Sequence, residues 1–211
     1  MIVTERENLA KARPGQLIEQ REEELARAGI YRLLALLLSK PPDKETLRIL
    51  DSLGDGASPI GEALRKIANK AKKLDADSIM DEFHNLFIGL GEGELVPYGS
   101  YYLSGFLHEK PLARLRSDLH HLKIQQRHHV MEPEDSMSSL CEVMSLLVSG
   151  EINGAASLET QQSFFTKHLG SWGNEFFEDL KNAKSARFYS AVGDLGIEFI
   201  NVEKQAFELD Q

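Results

Sequence analysis

"GLGEGELVPYGSYY", residues 89–102, places four glycines, one proline and three tyrosines in fourteen positions. The fold class turns on whether this stretch joins a strand to a helix, as a phosphate-cradling loop would, or interrupts a series of helices. Before it, Ile79, Phe83, Leu86, Phe87 and Leu90 recur at three- and four-residue spacing, which predicts a helix. After it, "SYYLSGFLHE" and "PLARLRSDLHHLK" read as two more helices, the second begun by Pro111. No Gly-Lys-Ser/Thr follows "GLGEG", so a nucleotide loop lacks both its strand and its cation. The stretch is a break between helices.

The same periodicity extends outward in both directions. Leu25, Ile30, Leu33, Leu34, Leu37 and Leu38 form one face of a long first helix, entered after Pro14-Gly15 and stopped by Pro41-Pro42. A short helix follows from Lys44 towards Gly54, and Ser58 with Pro59 opens the next. Met137, Leu140, Cys141, Met144, Leu147 and Val148 mark a helix that ends at the turn "SGEINGAAS". Two helices surround "FFTKHLGSWGNEFFEDL", and Phe188, Val192, Leu195, Phe199 and Val202 line a last one. With no period-2 strand, repeat or low-complexity tract, the expectation is an all-α, single-domain globular bundle of about nine or ten helices. Residues 15–211 form that domain, after a flexible N-terminal segment, 1–14.

Composition narrows the function classes. A chain of 211 residues with 42% hydrophobic residues can bury a full core. The single cysteine, Cys141, forms no internal disulfide and no thiolate metal site alone, which suits a reducing compartment. "MIVTERENLAKARPGQ" has no apolar segment of an export signal, and the run "LLALLL" at 33–38 is too short to span a bilayer. The expectation is a cytoplasmic protein without stable membrane insertion, acting as a monomer or homodimer. A net charge of −9 argues against nucleic acid as a partner. The acids are concentrated: from Leu74 to Glu109 there is no Lys or Arg but seven acids, Asp75, Asp77, Asp81, Glu82, Glu92, Glu94 and Glu109. From His128 to Thr166 there is again none, with six: Glu132, Glu134, Asp135, Glu142, Glu151 and Glu159.

Conventional catalytic signals are absent. His120, His121, His128 and His129 offer imidazoles to a transition metal, but no carboxylate stands at helical ligand spacing between the pairs; an exposed helix end and linker is the plainer reading. Asp135-Ser136 lacks a partnered base, and Cys141 falls on an apolar stripe. The sequence therefore calls for no enzyme activity, no metal and no cofactor.

"PYGSYY", Pro97 to Tyr102, resembles the Pro-Tyr-x-Ser-x-Tyr signature of the TorD/DmsD family of cytoplasmic chaperones that mature molybdenum redox enzymes. "EPED", Glu132 to Asp135, is similar to that family's Glu-Pro-x-Asp-His motif, with Ser136 where many members carry His. "FFTKHLGSWGNEFFEDL" and "ARFYSAVGDLGIEF" resemble its closing helices, and the likeness runs from about Arg27 to Phe207. It implies a TorD-like fold and a chaperone that binds the twin-arginine signal peptide and the body of a molybdenum or tungsten oxidoreductase precursor. Such a chaperone assists cofactor insertion and delays export. The stretch "LFIGLGEGELVPYGSYYLSGFLHEKPLARLR" suggests a formate dehydrogenase as client.

A peptide bearing two guanidinium groups before an apolar segment calls for carboxylates beside an apolar groove. The candidate client-binding residues are Glu92, Glu94, Pro97, Tyr98, Ser100, Tyr102, Glu132, Pro133, Glu134, Asp135 and Ser136, with the glycines giving backbone access and the tyrosines aromatic faces. Structural readings compete at each point. The glycines also suit a helix end and turn, the tyrosines core packing, Asp135 a helix cap, and His168 with Trp172 internal packing. Two rival functions remain beside the chaperone: an acidic helical adaptor for a folded partner, and a helical metalloprotein using the histidine cluster.

Overall fold

The computed structural model describes residues 14–53, 56–89, 93–126, 132–151 and 154–209, with side chains from residue 21. The described residues form ten helices and no strand: α1 Pro14–Ser39, α2 Lys44–Asp51, α3 Pro59–Lys73, α4 Ala76–Phe87, α5 Gly99–Ser104, α6 Lys110–His121, α7 Met137–Ser149, α8 Leu158–His168, α9 Gly173–Asn182 and α10 Tyr189–Leu209. The expected flexible segment 1–14 lies outside them except for Pro14, which stands in the first turn of α1 rather than before it.

Half of the ten helix starts follow a local rule. Asp43, Ser58, Asp75, Ser136 and Ser157 each accept a hydrogen bond from the backbone N–H three residues on, satisfying a donor that the helix cannot. Three helices lack such a side-chain cap, those entered at Tyr98, Glu109 and Trp172. One sequence expectation is shortened: "SYYLSGFLHE" is helical only to Ser104, because Gly105 adopts φ 80° and its N–H returns to the Tyr101 carbonyl at 2.7 Å.

The core is one continuous cluster. α1 packs along α7, α10 packs along α9, α3 and α1, and α5 sits on α6. At the α9–α10 crossing a Cβ on Gly196 would lie 2.1 Å from the Phe177 ring, so glycine there sets how closely the helices approach. Tyr31 packs edge-on against Phe199 at 4.6 Å, and its hydroxyl donates to Glu203, which Arg27 also grips through two bonds of 2.8 Å. Removing one partner of such a buried pair leaves an uncompensated charge, so α1 and α10 are locked together. Leu34, Leu37 and Leu38 face inward as expected, joined by Ala28 and Tyr31, whereas Leu25 and Val202, also expected on apolar faces, are exposed.

Buried Glu82 on α4 serves α10. Its carboxylate accepts from the backbone N–H groups of Arg187 at 2.8 Å, Phe188 at 3.0 Å and Tyr189 at 2.7 Å, where α10 begins. Helix N-termini favour such an anion because their first donors have no internal acceptor. Glu82→Ala strands three donors and is expected to lower stability by about 3 kcal/mol, with Glu82→Gln costing less, as measured by urea unfolding.

Candidate functional site

The two motifs that stand out in the sequence meet in space. Tyr98 and Ser136 form an isolated antiparallel bridge: the Met137 N–H donates to the Pro97 carbonyl at 2.9 Å, and the Gly99 N–H to the Asp135 carbonyl at 2.9 Å. Asp135 is buried, and its Oδ2 accepts from the Ser100 N–H at 2.7 Å. The carboxylate missing from the start of α5 is thus supplied by the other motif. Ser136 caps α7 through Ser139 and hydrogen-bonds Ser138. Within the described residues the buried Asp135 Oδ1 and Ser100 Oγ have no partner.

α5 is fastened on its other side by aromatic packing. Tyr102 stacks on Trp172 at 5.2 Å, meets the Phe176 edge at 6.0 Å and donates its hydroxyl to Asp179 at 2.9 Å. Burial, then the Asp179 bond and the nearby Glu175, push the Tyr102 phenol far above its ordinary range, so it is always a donor. A Cβ on Gly99 would lie 3.2 Å from the Trp172 indole nitrogen, which explains a small residue at that position. Trp172 donates to the His168 carbonyl at 2.7 Å, and the His168 ring contacts Asp118 on α6 at 2.8 Å. Burial lowers the His168 pKa more than Asp118 restores it, so the ring is neutral and donates from Nε2. His168 and Trp172 are internal packing.

The other expected acids differ in availability. Glu134 is held by Arg116 in a bidentate pair of 2.8 to 3.1 Å, which lowers its pKa against the opposing effect of burial. Glu94 accepts from the backbone N–H groups of Lys184 and Ser185 at the α9–α10 connection; burial opposes the ionised form, but these bonds leave its pKa lowered. Glu132 is half-buried, and burial raises its pKa, partly offset by Ser136. Burial raises the Tyr98 pKa too, with Glu132 and Asp135 adding to the effect. Pro133 is half-buried beside them, its carbonyl accepting from the Ser136 N–H at 3.2 Å. Glu92 lies outside the described residues. Gly89 and Gly93 serve the turn after α4: Gly89 takes φ 59° and a Cβ on Gly93 would lie 2.6 Å from the Leu86 carbonyl oxygen, while Gly91 lies outside the described residues.

The histidine cluster is only half in view. His120 and His121 are exposed on the last turn of α6, His121 Nδ1 lying 2.6 Å from the Ser117 carbonyl, while His128 and His129 lie outside the described residues. Among the described residues no group of three or more ligating side chains converges. Cys141 is buried, and burial alone pushes its thiol far above the reactive range.

Beyond Tyr101, one of the tyrosines expected to offer an aromatic face, sequence reasoning missed the surface beside the motifs. Tyr101, Leu103, Phe106 and Leu107 are exposed by 43%, 44%, 70% and 44%, four of the eleven exposed large apolar side chains described, within seven consecutive residues. Exposed Glu175 and Asp179, one turn apart on α9, flank Tyr102. Their i, i+4 spacing is visible in "NEFFEDL", but its position beside α5 is not. The surface has the chemistry to bind a chain with cationic and apolar portions, and holds no paired nucleophile and base.

Comparisons give this all-helical scaffold its class. Residues 54–178 match the family described as nitrate reductase delta subunit. "Chaperone protein TorD" of Psychrobacter sp. (strain PRwf-1) is 28% identical over 203 residues, covering 87% of this chain and 92% of the relative. The protein of the same description from Shewanella loihica is 25% identical over 217 residues, covering 90% and 96%. An Archaeoglobus fulgidus crystal structure assigned to redox enzyme maturation superposes with a TM-score of 0.53 at 20% identity, over 83% of this chain and 93% of that one, and shares the fold. The class is that of the TorD-like, all-helical maturation chaperones. The chain belongs to the nitrate reductase delta subunit family.

Two outcomes follow from this geometry. Asp135→Ala leaves the Ser100 N–H buried without an acceptor and is expected to cost about 1 to 3 kcal/mol in equilibrium unfolding, while Asp135→Asn retains an acceptor and costs less. The lowered His168 pKa means that the unfolded chain takes up a proton which the native state resists. The contribution of His168 is complete above about pH 6.5 and is lost as pH falls below it. His168→Gln should flatten stability between pH 7 and pH 5.5 relative to the parent, read by thermal unfolding.

Proposed function

We propose that this chain is a cytoplasmic chaperone that binds the twin-arginine signal peptide and the body of a molybdenum or tungsten oxidoreductase precursor, with a formate dehydrogenase as client. It holds the leader while cofactor is inserted and so delays export. Residues 15–211 act as the working unit, and catalysis plays no part. Membership of the family supports a role in redox enzyme maturation.

The observation that carries the reading is the exposed apolar run from Tyr101 to Leu107, standing directly on the joined "PYGSYY" and "EPEDS" segments. A contiguous apolar surface in contact with water is a cost unless a partner covers it. A leader peptide supplies both an apolar segment and two cations, and the acids around the run suit the cations. The test uses purified chain and a purified formate dehydrogenase precursor, with and without its leader, in gel filtration. The intact precursor should form a complex, and deletion of the leader should weaken it severely; equal binding of the leaderless form would place recognition on the folded enzyme instead.

A further inference from the structure

The geometry points to the seam between α5 and α9 as the leader site: Glu175 and Asp179 receive the paired basic side chains, and Tyr101, Leu103, Phe106 and Leu107 receive the apolar segment that follows. This rests on the reading of the chain as a leader-binding chaperone, and it moves the charged part of the site away from the motif acids.

Elimination supports that move. Asp135 is buried and committed to Ser100, Glu134 is paired with Arg116, and Glu94 is committed to two backbone donors. Protein donors already offset part of the charge of each of these carboxylates, and burial opposes the ionised form of half-buried Glu132. Glu175 and Asp179 are exposed and enter no ion pair among the described residues. Their spacing sets both carboxylates on one face of α9. The Tyr102 hydroxyl, 2.9 Å from Asp179 Oδ2, joins that face to α5.

The apolar half is held in shape. Gly105 ends α5 in the left-handed conformation, and the Ser104 hydroxyl lies 2.6 Å from the Ser100 carbonyl and 3.2 Å from the Phe106 carbonyl. This local bonding fixes the turn that carries Phe106 and Leu107 without burying their side chains. An occupant must therefore be apolar over this run and cationic at the α9 side. That charge pattern favours a basic-then-apolar peptide over a second copy of a chain whose net charge is −9.

The test is fluorescence anisotropy with a labelled synthetic twin-arginine leader, at low and at physiological salt. Glu175→Gln/Asp179→Asn should weaken binding about tenfold, mostly by removing its salt dependence. Asn at 179 can still accept from Tyr102, so α5 should remain docked, checked by an unchanged thermal midpoint. Phe106→Ser should weaken the part that salt does not change. Asp77→Asn/Asp81→Asn removes an equally spaced, exposed acid pair on α4 and should change affinity by less than about twofold. If the parent chain binds the leader and the α9 variant binds equally well, or the α4 variant loses as much, the seam is not the site although the chaperone reading stands. If the parent chain binds no leader, that reading fails as well. If Phe106→Ser alters self-association in sedimentation and leaves leader affinity unchanged, the apolar run is a contact between copies and the proposal is overturned.

Discussion

A buried carboxylate from one segment holds the start of a helix in another, and the whole candidate surface depends on it. α5 has only six residues and no cap of its own, far short of what an isolated helix needs in water. It persists because Asp135, 35 residues away, accepts from Ser100 and because the Tyr98–Ser136 bridge aligns the two chains. Tyr102 and Gly99 then seat the helix against Trp172. With Tyr102 turned to α9, its neighbours Tyr101 and Leu103 are left in water, and Gly105 turns the chain so that Phe106 and Leu107 follow them.

The same economy governs the acids. A carboxylate in a helical protein can neutralise a cation, satisfy orphan amides or wait in solvent for a partner, and only its surroundings decide which. Glu82 and Glu94 serve backbone donors near the α9–α10 connection, Glu203 serves Arg27 and Tyr31, and Glu134 serves Arg116. These groups are already engaged by donors within the protein. The exposed acids of α9 are spaced like any solvated helix face; the apolar run beside them sets them apart.

This division explains how far the sequence could be read. The helical class, the breaks at proline and glycine, and the caps at Asp43, Ser58, Asp75, Ser136 and Ser157 are local matters, settled by spacing and by donors within a few residues. Resemblance assigns "PYGSYY" and "EPED" to one site, but nothing within either segment shows that the two pair. Spacing alone carries α5 past Ser104, because in the sequence Gly105 reads as a tolerable interruption and only the structure shows its positive φ. Periodicity assigns Leu25 and Val202 to apolar faces because it marks a stripe without showing where its partner helix ends.

By itself the sequence determined that this chain is a bundle of helices with concentrated acidity, since those are properties of spacing and composition, and it carries two segments, 30-odd residues apart, that resemble motifs of one chaperone family. Tertiary structure decided which acids are spent and which are free, that Asp135 is a cap in trans rather than a surface charge, and that α9 stands beside α5. The physical reason is that a carboxylate's role depends on desolvation and on donors brought from remote parts of the chain, and neither is written in the residues adjacent to it.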